Sequence, residues 1–156
     1  MKIDIRSLEL GDNQMTLTIP REEIDSSIAP LAEDGSVELA LFHSAIETTV
    51  VANITAVVAL ECSRCLCDFE MEITTQFTMS LKKGKPGTVS EDSDIPVLFY
   101  DAAEGLVEIG PTIAEEIGVN VPMQPMCDDL CKGLCVDCGE DLNTEECSCS
   151  KKDIET

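Results

Sequence analysis

Two runs of alternating residues on either side of CSRCLCD constrain this chain more than any other feature. Residues 69–81 place Phe69, Met71, Ile73, Phe77, Met79 and Leu81 at odd positions, with Glu70, Glu72, Thr74, Gln76, Thr78 and Ser80 between them. Residues 50–61 put Ile54, Ala56, Val58 and Leu60 on one side. Side chains alternate across a strand with a period of two, so each run reads as a half-buried antiparallel strand. Joined by a short cysteine-bearing stretch, the two predict one long hairpin with thiols at its tip.

More strand pattern precedes the hairpin. Met15, Leu17 and Ile19 alternate over 14–20, and Val37, Leu39 and Leu41 share a face over 37–45. REEID after Pro20 has the composition of one short helical turn. Residues 81–96 are rich in Lys, Gly, Ser, Pro and acid, which predicts a mobile loop, and VLFY (97–100) predicts a short strand. From 109 the period changes: Ile109, Ile113, Ile117 and Val121 recur every four residues. Pro111 near the start and Gly118 near the end bound a helix over 111–117. The expected fold is α+β and mainly antiparallel β. One β-rich domain (1–121, with a mobile loop over 82–96) carries a short helix, and a cysteine-rich zinc-knuckle tail (122–156) packs on it.

The nine cysteines admit three chemistries: disulfides, a redox motif or a metal site. The N-terminal MKIDIRSLEL is broken by Lys2, Asp4, Arg6 and Glu9, unlike a signal peptide, and no apolar run approaches bilayer length. These features predict a cytoplasmic protein with reduced thiols and no membrane contact. Nine is also odd, which a closed set of disulfides cannot use completely. A redox C-x-x-C opens a helix in a βαβ unit, whereas CVDC follows a helix amid Gly, Asp and Asn. Metal remains.

Apart from Cys67, the cysteines fall into the pairs Cys62/Cys65, Cys127/Cys131, Cys135/Cys138 and Cys147/Cys149. A C-x-x-C turn brings two sulfurs to one ion, and two such turns complete a tetrahedron suited to Zn²⁺. Gly139 follows Cys138 where a knuckle needs positive φ. Iron–sulfur clusters also take four thiolates. Pairing neighbours puts Cys135, Cys138, Cys147 and Cys149 in a tail site. Cys127 and Cys131 then meet Cys62 and Cys65, stapling the tail to the hairpin. The rival arrangement is a single tail site drawn from the six C-terminal cysteines.

Four thiolates leave a metal no open position for catalysis. His43, the lone histidine, has no nucleophile near it in sequence, and no phosphate-binding glycine loop is present. Neither an enzyme nor a small-molecule substrate is indicated. Ten Lys and Arg against 31 Asp and Glu give a net charge of −21. Such a chain repels phosphate backbones and attracts basic proteins in a salt-dependent way. A local RNA or partner contact is therefore confined to Arg64, Lys132, Lys82, Lys83 and Lys85, provided they gather on one face.

LECSRCL (60–66), IGPTIAEEIGVNVP (109–122) and CDDLCKGLCVDCGEDLN (127–143) followed by CSC (147–149) resemble, in that order, the YceD family of large ribosomal RNA subunit accumulation proteins. The resemblance is weakest over residues 1–50. Two departures are Val136, where the family usually carries Pro, and Cys67, which is extra. The resemblance implies a non-enzymatic ribosome biogenesis factor supporting large-subunit ribosomal RNA production or stability. Its members differ in carrying the tail cysteines, which implies that zinc stabilises the protein and is not the shared activity. The implied partner is a pre-ribosomal large subunit or a basic ribosomal protein. The alternative reading is a thiol-based redox or zinc-handling protein using CSRC and CVDC.

Overall fold

In the computed structural model, residues 1–22, 24, 30–87, 94–144, 147 and 149 are described. The alternating segments form strands β2 (Gly11–Ile19), β3 (Gly35–His43), β4 (Glu47–Glu61) and β5 (Asp68–Lys83), after a short β1 (Lys2–Asp4). They pair in sequence order as an antiparallel meander, and β6 (Val97–Tyr100) closes the five-stranded sheet parallel to β5. Strands β4 and β5 form the long hairpin in a register that sets Glu61 opposite Asp68 and Glu47 opposite Lys82. The expected mainly antiparallel β architecture with one helix is thus the observed one.

One face of the sheet is apolar. Val37, Leu39 and Leu41 of β3, Val50, Ala52, Ile54, Ala56 and Val58 of β4, and Ile73, Met79 and Leu81 of β5 are buried there. A second small sheet pairs β1 with β7 (Leu106–Glu108), and brings Ile3 and Val107 into the same core. Helix α1 (Gly110–Asn120) lays Ile113 and Ile117 on this face, and Thr75 of β5 donates to Glu116 Oε1 at 3.1 Å. With few aromatics, burial of aliphatic side chains supplies most of the driving force. No described helix is long and apolar enough to cross a membrane.

Some expected boundaries change. Helix α1 runs past Gly118 to Asn120, whose side-chain amide donates to Glu116 O at 2.8 Å. The stop comes from Pro122, which disfavours helical φ/ψ at Val121; that residue is extended (φ −70°, ψ 127°). Strand β5 continues through Lys83, so the loop expected from residue 82 begins later. Lys82 and Lys83 stay in the ladder opposite Phe99 and Tyr100 of β6. The mobile segment expected over 82–96 falls partly on 88–93, outside the described residues. The helical turn expected over 21–25 likewise includes residues outside them.

Candidate metal centre

The hairpin tip and the tail contain the same turn. At the tip, Leu66 N donates to Cys62 O at 3.0 Å and Cys62 N to Cys67 O at 2.9 Å. In the tail, Gly139 N donates to Cys135 O at 2.8 Å and Cys135 N to Glu140 O at 2.8 Å. The residue after the second cysteine is left-handed in both: Leu66 at φ 59° and Gly139 at φ 76°. Each turn aims two sulfurs to one side. The glycine was legible as a knuckle signal; Leu66 was not, because a leucine rarely takes this conformation.

The other cysteines come from 127–131 and from the end of the tail. Ser63 N donates to Pro125 O at 2.8 Å and Leu134 N to Arg64 O at 3.1 Å, which lays the tail along the hairpin tip. Gly133, buried with φ +74°, lies where a Cβ would stand 2.9 Å from Arg64 O. The sulfurs of Cys62, Cys65, Cys127 and Cys131 lie within 4.8 Å of one another, as do those of Cys135, Cys138, Cys147 and Cys149. Separations include 3.9 Å for Cys62–Cys131, 3.6 Å for Cys65–Cys127, 3.4 Å for Cys138–Cys147 and 3.3 Å for Cys135–Cys147. Tetrahedral sulfurs about 2.3 Å from a zinc ion stand roughly 3.8 Å apart, so both donor sets fit one ion each. These are the two neighbour-paired sets, and the rival pooling of six tail cysteines is not the arrangement formed.

Amide donors reach into both clusters. Arg64 N points at Cys62 Sγ (3.5 Å), Cys149 N at Cys147 Sγ (3.2 Å) and Asn143 Nδ2 at Cys131 Sγ (3.5 Å). Asn143 Oδ1 also takes the Lys132 amide at 2.7 Å, tying the two stretches together. Asn143 closes the CDDLCKGLCVDCGEDLN motif, but nothing in its spacing signals this role. The amides of Cys127 and Cys65 lower Cys62 to about 6, and those of Cys138 and Asp137 lower Cys135 to about 7. Their neighbours shift oppositely. Burial, then the adjoining thiols, pushes Cys127 up. The Glu140 amide favours the Cys138 thiolate, but Cys147 and Cys135 outweigh it and push Cys138 up to about 12. Each cluster thus favours one thiolate and resists more; a divalent cation removes that repulsion.

The basic residues do not make one face. Arg64 Nη1 donates to Cys131 O at 2.9 Å, so this guanidinium ties tip to tail. Lys132 is exposed near the same end. Lys82 pairs with Glu47 at 3.1 Å at the other end of the hairpin. With about 3.3 Å per residue, it lies roughly 45 Å along the strand from Asp68. The long hairpin thus puts Arg64 and Lys132 at one end and Lys82 and Lys83 at the other, so the single positive face on which a local contact was conditional is not formed. His43 Nδ1 lies 2.7 Å from Thr48 Oγ1, its cross-strand partner, and serves the ladder.

Fold and site define a β-sheet protein with two four-cysteine clusters, each able to coordinate a metal ion, around the tip of one hairpin. A model of the family described as large ribosomal RNA subunit accumulation protein YceD matches residues 50–156, and the chain belongs to this family. It is similar to an uncharacterised protein of Mycobacterium leprae, with 29% identity over 99 residues, covering 64% of this chain and 45% of that protein. It is also similar to chloroplastic YCED homolog 1 proteins, large ribosomal RNA subunit accumulation proteins. The one from Zea mays is 32% identical over 59 residues (37% of this chain, 20% of that protein). The one from Arabidopsis thaliana is 30% identical over 47 residues (30% and 15%). The chain thus spans less than half the length of these curated relatives. No solved structure matches it. The family is described by accumulation of an RNA.

Proposed function

We propose that this chain supports production or stability of large-subunit ribosomal RNA without catalysis, as a cytoplasmic protein-binding factor whose cysteine-rich end is held by two zinc ions. The observation that carries the reading is the family match over residues 50–156, which includes all eight clustered cysteines. Zinc is favoured because the four sulfurs of each set all lie within 4.8 Å of one another. A cubane iron–sulfur cluster would insert a whole cage between its cysteine sulfurs and needs them farther apart. CVDC lies in a turn and not at a helix N-terminus, which weighs against the redox alternative.

Charge favours a basic protein or pre-ribosomal particle as the partner. Eight thiolates on two divalent ions add four negative charges to the formal −21. With Lys82 and Arg64 at opposite ends of the hairpin, no dense positive surface among the described residues offsets this. Filter binding to naked ribosomal RNA, with wild type and with Lys82, Lys83 and Lys85 all changed to Glu, tests the reading. Neither should retain RNA at physiological salt, while a basic large-subunit protein fraction should bind in a salt-sensitive way. Tight RNA binding indifferent to the lysines overturns it.

A further inference from the structure

The two knuckles differ at one position. In the tail turn the residue two past the second cysteine is Glu140, whose Oε2 accepts from Cys138 Sγ at 3.7 Å. In the hairpin turn that position is Cys67, the ninth cysteine, and Cys65 Sγ lies 3.2 Å from Cys67 Sγ. This separation is shorter than the 3.6 Å of Cys65–Cys127 and the 3.9 Å of Cys62–Cys131 within the four-sulfur set. A fifth sulfur, in contact with Cys65, therefore stands beside a set of four that a tetrahedral ion already fills. A carboxylate is a poor rival to thiolate for a borderline-soft ion, whereas a fifth thiol is an equal one.

Burial orders the five. Cys62, Cys65 and Cys131 are buried, Cys127 is half-buried and Cys67 is exposed. A groove lined by Cys65, Cys67, Cys127, Leu130, Asp141 and Asn143 opens the cluster to solvent. An ion arriving or leaving along it passes Cys67. We propose that Cys67 is a standby ligand of the hairpin site, able to take the place of Cys65 on the ion. This site then exchanges one thiolate while keeping its metal, whereas the tail site has a fixed set. The inference rests on the reading of both clusters as zinc sites and concerns a residue outside either set of four.

Full-length protein loaded with cobalt(II), a tetrahedral probe whose thiolate absorption counts sulfur ligands, provides the test, with native mass spectrometry counting ions. Wild type and Cys67→Ala should each hold two ions. Cys65→Ala should still hold two, with the absorption of eight sulfur ligands, and Cys65→Ala/Cys67→Ala only one. The tail site is the internal control that each variant folds. A Cys65→Ala variant with one ion, or a double variant with two, overturns the standby role. Loss of an ion from Cys67→Ala overturns it as well, making Cys67 a primary ligand. Wild type with no ion would overturn the zinc reading itself and the inference with it, an outcome distinct from the others.

Discussion

Leu66 and Gly139 hold equivalent positions in two turns with the same backbone hydrogen-bond pattern, both with positive φ, one with a side chain and one without. The tail turn meets the left-handed requirement at no steric cost, whereas the hairpin tip strains a leucine that is 57% exposed. Leu66→Gly should therefore stabilise the protein by about 0.5 kcal/mol, the relief of strain being partly offset by unfolded-chain entropy. Gly139→Ala should cost about 1 kcal/mol, since no atom lies within 4 Å of the added Cβ and only the backbone resists. Denaturant midpoints of the two variants, moving in opposite directions, would check the pair.

Gly133 is constrained by space as well as by φ. An alanine Cβ would meet Arg64 O at 2.9 Å and Arg64 Cβ at 3.3 Å, where the Leu134–Arg64 hydrogen bond closes tail onto tip. Gly133→Ala should cost about 2 kcal/mol and speed hydrogen exchange at Ser63 and Leu134. Unchanged exchange at those amides would show that the tail docks by the metal alone.

Metal removal should act on one end of the molecule. The buried sheet-and-helix core and the small cluster of Cys62, Cys65 and Cys131 with Phe69 and Leu134 are separate. A strong chelator should release two zinc ions and free the Ser63 and Leu134 amides, while the β2–β3 and β3–β4 ladders keep their protection. Cys62→Ser should halve the zinc content. Collapse of the whole sheet on chelation would contradict this division.

At the opposite end, Glu47 accepts from Lys82 (3.1 Å) and Ser80 Oγ (3.0 Å). Bonds from Lys82 first and Ser80 second hold its carboxyl below the ordinary glutamate range. A depressed folded pKa means stability that is present above the ordinary value and lost as pH falls through the folded one. Glu47→Gln should therefore lower the thermal midpoint at neutral pH and match wild type in strong acid. Because the pair is half exposed, the neutral-pH gap should also shrink in high salt. A gap that persists in acid would assign the effect to packing.

Much of this architecture was legible in the chain because it rests on local rules. Period-two alternation fixes which faces of β4 and β5 are buried, and C-x-x-C spacing with Gly139 specifies a knuckle within six residues. Helix α1 was visible from its four-residue stripe, yet its end was misplaced by two competing stop signals, Gly118 and Pro122. The proline prevails because it restricts the preceding residue sterically, while glycine only weakens a helix.

Tertiary structure alone decided how these pieces meet. Cys62 and Cys131 are 69 residues apart in the chain, and their sulfurs come within 3.9 Å only because the tail folds back on the tip. That return depends on a glycine at a close approach and on Arg64, which its charge offered as a partner contact and packing spends on Cys131 O. The lysines followed the same logic in reverse. Near Lys85 in sequence, Lys82 and Lys83 read as a basic loop; in the ladder they stand at the far end of the hairpin, because register between strands is set by the buried faces of both and not by either segment alone.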